Sequence, residues 1–155
     1  TQEKIMKTSI IKHLIATTAG LSPLALRIPV GIIFAAHGAQ KLFGWFGGYG
    51  LEGTGKWMTS IGIEPGMLMA ALAGGAEFFG GLALLLGLLV RPASAVLGFT
   101  MLVAIFSVHI GNGLFMSNNG IEFGLALLAA TVSLGISGAG RASIDAVLAE
   151  RLERQ

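Results

Sequence analysis

The sequence predicts an all-α membrane protein, a polytopic bundle of four transmembrane helices. Hydrophobic residues make up 54% of its 155 residues and charged residues only 12%, about half the charged share of a soluble domain. Apolar runs of nearly 20 residues also recur along the chain, and a helix needs about 20 mainly apolar residues to cross about 30 Å of hydrocarbon. There are too few charges to cover a water-exposed surface.

The amino-terminal segment, residues 1–23, carries Lys4, Lys7 and Lys12 among isoleucines and leucines. This pattern predicts an amphipathic helix on the cytoplasmic membrane surface. A secretory signal is the alternative, because a basic start followed by an apolar run is typical of one. Lys12 and His13 interrupt the apolar run, which favours the surface helix.

The transmembrane domain is predicted to cover residues 24–141. Its four helices are predicted at 24–43, 66–90, 93–111 and 121–137. The second and third form a tight hairpin, since Pro92 can end one helix and open the next. A cytoplasmic tail helix is predicted at 142–155, where Glu150 and Arg154 stand at helical i,i+4 spacing.

Basic residues predict the orientation of the bundle. With the amino terminus inside, only Lys41 and Lys56 of the ten Lys and Arg residues fall on the outer side. The positive-inside rule then places both termini in the cytoplasm and the long 44–65 loop outside. The aromatic residues of this loop are predicted at headgroup level, namely Trp45, Phe46, Tyr49 and Trp57.

Small residues recur four apart in several helices, as at Gly31 and Ala35 or at Ala71 and Gly75. Such rows let helix backbones approach closely in lipid. The pattern leaves open whether they join helices within one bundle or between copies, so a homo-oligomer stays an alternative.

Ionisable side chains inside the predicted helices are the candidate functional residues, because each costs about 2.5–3.5 kcal/mol at the membrane centre. Most of this polarity converges on the outer half of the bundle. The predicted ligand-binding or proton-transfer residues are Glu77, His37, His109, Lys41, Glu122 and Asn112. Glu77 is the strongest of them, since a carboxylate near mid-membrane must be paired or protonated.

Some of these ionisable side chains also admit a purely structural role. Lys41 can extend to the interface, Glu122 can cap its helix, and Arg27 can reach the cytoplasmic interface. His37 and His109 admit haem or metal ligation, but two histidines on separate helices at different depths favour hydrogen bonding to a ligand or to Glu77. No metal site and no intrinsic cofactor are therefore predicted, and catalytic residues are not assigned.

Other functional classes are excluded or disfavoured. The chain has no cysteine, which excludes disulfides, thiolate metal sites and a cysteine nucleophile. The net charge of +2 is interpreted as membrane topology, so no nucleic-acid partner is predicted. The Gly50–Lys56 segment matches the phosphate-loop spacing, but Trp57 stands where Ser or Thr should hold magnesium, and nucleotide binding is not predicted.

Residues 24–145 resemble the DoxX-like family of small bacterial inner-membrane proteins. The resemblance is carried by the order and spacing of Leu26-Arg27, His37-Gly38, Lys41-Leu42, Ala76-Glu77, Gly80–Gly87, Arg91, His109, Gly120–Phe123 and Gly138–Asp145. Ala139 stands where the family often has proline. The resemblance implies a four-helix fold and an association with redox or sulfur metabolism, in which some relatives look like subunits of quinone-reducing oxidoreductases.

Three functions follow from the residues and the resemblance together. The first is a membrane subunit that binds a quinone or similar amphipathic molecule in the outer half of the bundle. Such a subunit would be quinone-reactive or non-catalytic and would take electrons from a redox partner protein. The alternatives are a small-solute carrier that uses the same site, and a membrane scaffold for an extracytoplasmic redox enzyme.

Overall fold

The computed structural model describes residues 10–17 and 19–154, and within them every regular element is helical. The helices are α1 Ser22–Phe43, α2 Gly50–Ser60, α3 Gly66–Leu86, α4 Val90–Ala104, α5 Glu122–Ser137 and α6 Ile144–Glu153. A π-turn at Ile105–His109 and a 3₁₀ turn at Ile110–Asn112 continue α4. The predicted all-α fold class is confirmed.

Three helices are long and apolar enough to cross a membrane, and they comprise 22, 21 and 23 residues. They are α1, α3, and α4 extended to Asn112. Helix α5 is a shorter apolar helix of 16 residues. These four helices form the predicted polytopic bundle.

The turn between α3 and α4 lies a few residues earlier than predicted. Gly87 adopts a left-handed conformation at φ 67° and ends α3, and the Leu88 amide bonds back to the Ala83 carbonyl. This hydrogen-bonded glycine cap is a common helix ending. Pro92 then lies in the first turn of α4, where its missing N–H costs no helical hydrogen bond.

The amino-terminal segment is described only in part. Residues 10–15 are helical and, apart from the buried Ile15, exposed. Lys4 and Lys7 lie outside the described residues, so the surface-helix prediction for that stretch stays a prediction.

The predicted 44–65 loop contains a helix, α2. Its Thr54, Gly55 and Met58 are buried, because this face packs against the start of α3. The Gly50–Lys56 segment is thus helical, and Lys56 Nζ lies 2.6 Å from Glu52 Oε1 on an exposed face.

Glycines bring α1 and α3 into direct backbone contact. A Cβ at Gly38 would lie 2.6 Å from Phe78 Cα and 2.7 Å from the Gly74 carbonyl oxygen, while Gly81 sits equally close to Gly31. These small residues therefore join helices within one chain. Gly75 faces away from the bundle and has no other atom within 4 Å of such a Cβ.

The bundle has two ends of different construction. The loop end carries residues 44–65 and 113–121, and the turn end carries residues 87–89 and 138–143. Between them lies a buried apolar core that includes Phe34, Leu84, Leu97 and Leu134. Each of these four side chains is at most 1% exposed.

Two arginines close the turn end by binding backbone carbonyls. Arg27 is 2% exposed and donates to the carbonyl oxygens of Leu84 and Ala142. Arg91 donates to the Ala16 and Gly135 carbonyls at 3.0 and 2.9 Å. Leu84 and Gly135 lie in the last turns of α3 and α5, where unpaired carbonyls and the helix dipole favour a cation. Arg27 is thus buried within the protein at the turn end, and its predicted place at the cytoplasmic interface stays a prediction.

Asp145 anchors the tail helix to the turn between α3 and α4. Its carboxylate accepts hydrogen bonds from the Leu89 and Val90 amides at 2.7 and 3.0 Å, which caps the start of α4. Its own amide donates to the Gly87 carbonyl at 2.9 Å. Asp145 is 1% exposed, so the tail is docked at its first turn.

Replacing Asp145 by alanine should therefore destabilise the protein. Hydrogen bonds to a charged acceptor contribute about 1.5–3 kcal/mol each, and buried amides left unpaired cost about 1–3 kcal/mol. We expect a loss of about 2 kcal/mol or more in the free energy of unfolding, measured by denaturation in detergent. Alanine at the exposed Glu150 of the same helix is the control, and an equal effect of both changes would contradict the docking role.

The pH dependence gives Asp145 a second test. Burial raises the pKa of its carboxyl, although the hydrogen bonds from Val90 and Leu89 and the charge of Arg27 act to lower it. The folded protein then holds this proton to a higher pH than the unfolded chain does. The raised pKa therefore contributes to the free energy of unfolding at low pH, and this contribution is lost as the pH rises through the folded-state pKa. Asp145→Asn should remove that part of the pH dependence of the melting temperature, which lies above the ordinary aspartate pKa of about 3.9.

The orientation in the membrane stays a prediction and is directly testable. We expect topology reporters fused after Gln155 and after Gly62, an exposed loop-end residue, to report opposite sides, with the carboxyl terminus in the cytoplasm. Reporters that give the same side for both positions would contradict the four-span arrangement.

Candidate functional site

A cavity of about 550 Å³ opens at the loop end of the bundle. Helices α1, α3, α4 and α5 and the 44–65 segment all contribute to its wall. Most of the lining is apolar and includes Phe34, Met101 and Leu127. The residues of the wall with polar side chains are His37, Lys41, Tyr49, Trp57, Glu77, Thr100, Ser107, His109 and Asn119.

An ion pair between α1 and α3 lies in this wall. Lys41 Nζ is 2.5 Å from Glu77 Oε2, and the two side chains are 25% and 5% exposed. Glu77 lies in the middle of α3, where it cannot extend to water, so Lys41 provides the partner that a buried carboxylate requires. The second oxygen, Oε1, accepts no hydrogen bond from any described residue.

His37 lies one turn before Lys41 on the same face of α1, as its i,i+4 spacing predicts. Its ring lines the cavity and stacks at a tilt beside Phe123, with 6.0 Å between the ring centroids. Because α1 presents both residues to the cavity, His37 and the ion pair form one polar patch.

The π-turn places His109 in the cavity wall. A regular α-helix, at about 100° per residue, would put His109 about 80° around from Met101. A π-turn rotates less per residue, and this brings His109 back towards the face of Met101 and Ala104. Such π-turns are frequent at functional sites.

A backbone carbonyl sets the tautomer of His109. Its Nδ1 lies 2.8 Å from the Asn119 carbonyl oxygen. Because a carbonyl oxygen only accepts, Nδ1 must carry the proton and donate. In the neutral ring, Nε2 is then an acceptor, and it makes no hydrogen bond with any described residue.

Glu122 and Asn112 are not among the cavity-lining residues. Glu122 accepts a hydrogen bond from the Met116 amide at 2.5 Å. The Asn112 side chain donates to the carbonyls of Val108 and Asn119, each at 3.2 Å. Both side chains order the irregular 113–121 segment, which in turn holds His109. The structure therefore brings together four of the six predicted site residues, His37, Lys41, Glu77 and His109.

Several residues of the cavity wall were not predicted as site residues from the sequence. Thr100 and Ser107 are seven residues apart, which is two helical turns. This spacing, on a helix that also carries His109, could have indicated that they share a face with the site. Tyr49 and Trp57 were assigned only to the headgroup level, because nothing in their local pattern showed that the 44–65 segment folds against the bundle.

Metal ligation is not supported by the arrangement of ligands. In the part of the chain that the structure describes, no group of three or more His, Asp or Glu side chains is placed to hold a metal ion. His37 and His109 line the cavity from different helices.

The chain is similar in sequence to curated bacterial proteins. It is 31% identical to "Putative oxidoreductase CatD" of Bacillus subtilis over 125 residues. The aligned region covers 81% of this chain and 85% of the relative. It is 34% identical over 131 residues to "Inner membrane protein YqjF" of Escherichia coli, with 81% and 90% covered. No solved structure matches the chain.

The family assignment rests on the match and on the fold together. The DoxX family profile matches residues 22–110, from the start of α1 to the turn after His109, and so includes Lys41, Glu77 and both cavity histidines. Apolar helices of membrane-spanning length and the relative named as an inner membrane protein identify a protein of the bacterial inner membrane. The chain belongs to the DoxX family.

Proposed function

We propose that the loop-end cavity binds the polar head of a quinone or a similar amphipathic molecule, and that the chain is a membrane subunit of a redox system. The observation that carries the proposal is the polar patch of Lys41, Glu77, His37 and His109 in an otherwise apolar cavity. A ring with polar substituents needs such a patch at one end and apolar walls around the rest.

The charges of the cavity favour a neutral ligand. Lys41 and Glu77 are the charged residues of its wall and neutralise each other at 2.5 Å. An anionic substrate would meet no free cation there, and a cation would meet no free carboxylate. A neutral head group can instead use the hydrogen-bonding atoms that the ion pair and the histidines leave open.

The redox assignment draws on the comparison with CatD, whose name describes an oxidoreductase. In this proposal the chain supplies the binding site for the amphipathic molecule, and a partner protein supplies or accepts the electrons. Sulfur metabolism is the setting that the family resemblance implies.

The buried core weighs against a solute carrier. Phe34 and Leu127 form part of the cavity wall, and Leu84, Leu97 and Leu134 pack between the cavity and the turn end. Passage of a solute would require this core to separate. The turn end is further tied by Arg27 and Arg91, which bind carbonyls from four segments.

Ligand binding can be measured directly through Trp57, which lines the cavity. A decyl-tailed benzoquinone titrated into the protein in nanodiscs should quench Trp57 saturably, at one ligand per chain, in a Trp45→Phe background. Trp57→Phe with Trp45 retained is the matched control for non-specific quenching in lipid.

Co-purification and flux measurements distinguish ligand binding from the scaffold and carrier functions. A stoichiometric quinone in lipid extracts of the purified protein supports the proposal. A tightly bound extracytoplasmic enzyme without saturable quinone binding would favour the scaffold, and solute flux into liposomes without a ligand requirement would favour the carrier.

A further inference from the structure

Two hydrogen-bond acceptors of the cavity wall have no donor although the partner atom of the same side chain is engaged. Glu77 Oε1 and His109 Nε2 make no hydrogen bond with any described residue, whereas their partner atoms Oε2 and Nδ1 are both engaged. Among the described residues, the fully enclosed polar atoms without a partner are Arg27 Nε and Ser94 Oγ. The two free acceptors are not among them, so each keeps some accessible surface, and both residues line the cavity.

A donor stands beside the first of these acceptors, Glu77 Oε1. The Lys41 ammonium has three N–H groups, and its one hydrogen bond to a described residue goes to Glu77. It can therefore donate to a ligand oxygen next to Oε1. The pair Lys41 and Glu77 thus offers one donor and one acceptor at a single point of the wall.

A hydroxyl group matches this pattern and a carbonyl group does not. A hydroxyl accepts from Lys41 and donates to Glu77 Oε1 or His109 Nε2, whereas a carbonyl oxygen can only accept. A dione bound here would leave both acceptors without a donor in an apolar cavity, and an acceptor without a partner in such a place is costly.

We infer that the cavity selects the hydroxyl-bearing form of its ligand, a phenol or hydroquinol, over the oxidised carbonyl form. This inference rests on the proposed function, since it specifies the chemistry of the head group that the same cavity binds. In a redox system, such a preference makes the chain a site for the reduced member of the couple.

Two ligands of nearly equal shape test the preference without redox chemistry. 4-Decylphenol donates and accepts, while 4-decylanisole, its methyl ether, only accepts. At pH 7 the phenol keeps its proton, since a phenolic pKa is about 10. We expect the phenol to bind the wild-type protein in nanodiscs about tenfold more tightly, the ratio that one hydrogen bond of about 1.4 kcal/mol produces.

Variants then identify the acceptors. His109→Phe keeps the ring shape and removes Nε2, and Glu77→Gln replaces an acceptor by an amide that can also donate. Each should reduce the phenol-to-ether ratio, and Glu77→Gln should reduce it the more. His13→Phe, at the turn end and outside the cavity wall, is the control and should keep the wild-type ratio.

The outcomes separate this inference from the proposed function. Equal binding of phenol and ether by the wild type, or tighter binding of the ether, overturns the inference while a binding site remains. Binding of neither ligand overturns both. A tenfold preference that survives when Glu77→Gln and His109→Phe are combined also overturns the inference, because the named acceptors then do not produce it. The comparison of phenol and ether binding by the wild-type protein tests the inference even where a variant fails to fold.

Discussion

Replacing Glu77 by glutamine is expected to lower ligand affinity at least about tenfold per folded molecule and to lower thermal stability as well. The substitution keeps the side-chain size but removes the negative charge that lies 2.5 Å from Lys41. Lys41 then loses its counter-charge, and the polar patch changes from neutral to positive. A ligand that donates to this position loses a charged acceptor, and the neutral amide oxygen of glutamine is a weaker one.

The stability loss should be smaller than for a fully buried pair. Removing one partner of a buried ion pair costs about 3–5 kcal/mol, but the Lys41 side chain is 25% exposed and can turn towards the cavity mouth. We therefore expect a loss below that range. Melting temperature and ligand occupancy are to be measured on the same purified variant.

Two further variants serve as controls for Glu77→Gln. Glu52→Gln removes the carboxylate of an exposed ion pair near the same end, where the side chains are 76% and 73% exposed, and should change neither quantity. Adding Lys41→Met to Glu77→Gln should restore stability without restoring binding. A large loss of stability with normal occupancy per folded molecule would make Glu77 a structural counter-charge and favour the scaffold.

The long helices follow from composition because each must bury or present about 20 apolar residues to lipid. Helix α1 is predicted within two residues, since Pro23 suits a helix start and Gly44 adopts the left-handed conformation that ends it. Helix α2 was not predicted. Its stretch is glycine-rich, and glycine disfavours an isolated helix, so it depends on packing between Gly55 and Met67, a contact that no local pattern contains.

The site was predictable to the extent that helical periodicity determines it. The shared face of His37 and Lys41 follows from their spacing, and the burial of Glu77 follows from its position in an apolar run. Periodicity could not choose the partner of Glu77 among His37, Lys41 and His109, because that depends on how α1 packs against α3. The π-turn at His109 and the local bonds of Glu122 and Asn112 depend on the irregular 113–121 segment, which has no periodic pattern.

Replacing Gly38 by alanine should strongly destabilise the bundle, because this position sets how closely α1 approaches α3. The added Cβ would lie 2.6 Å from Phe78 Cα and 2.7 Å from the Gly74 carbonyl oxygen, and a backbone cannot move aside as a side chain can. Overpacking a core typically costs about 1–3 kcal/mol, and we expect the upper part of that range. Ligand affinity should fall too, since separating the helices moves Lys41 away from Glu77.

Gly75→Ala is the matched control for this change. It lies on α3 near the same level, but its Cβ would meet no other atom within 4 Å. Alanine is favoured over glycine in a helix by about 1 kcal/mol, so this variant should be as stable as the wild type or slightly more stable. Melting temperature in detergent and recovery of monodisperse protein measure both variants. Equal tolerance of the two changes would show that α1 and α3 do not need direct backbone contact. The cavity would then have to owe its shape to α4, α5 and the 44–65 segment, which pack around that pair.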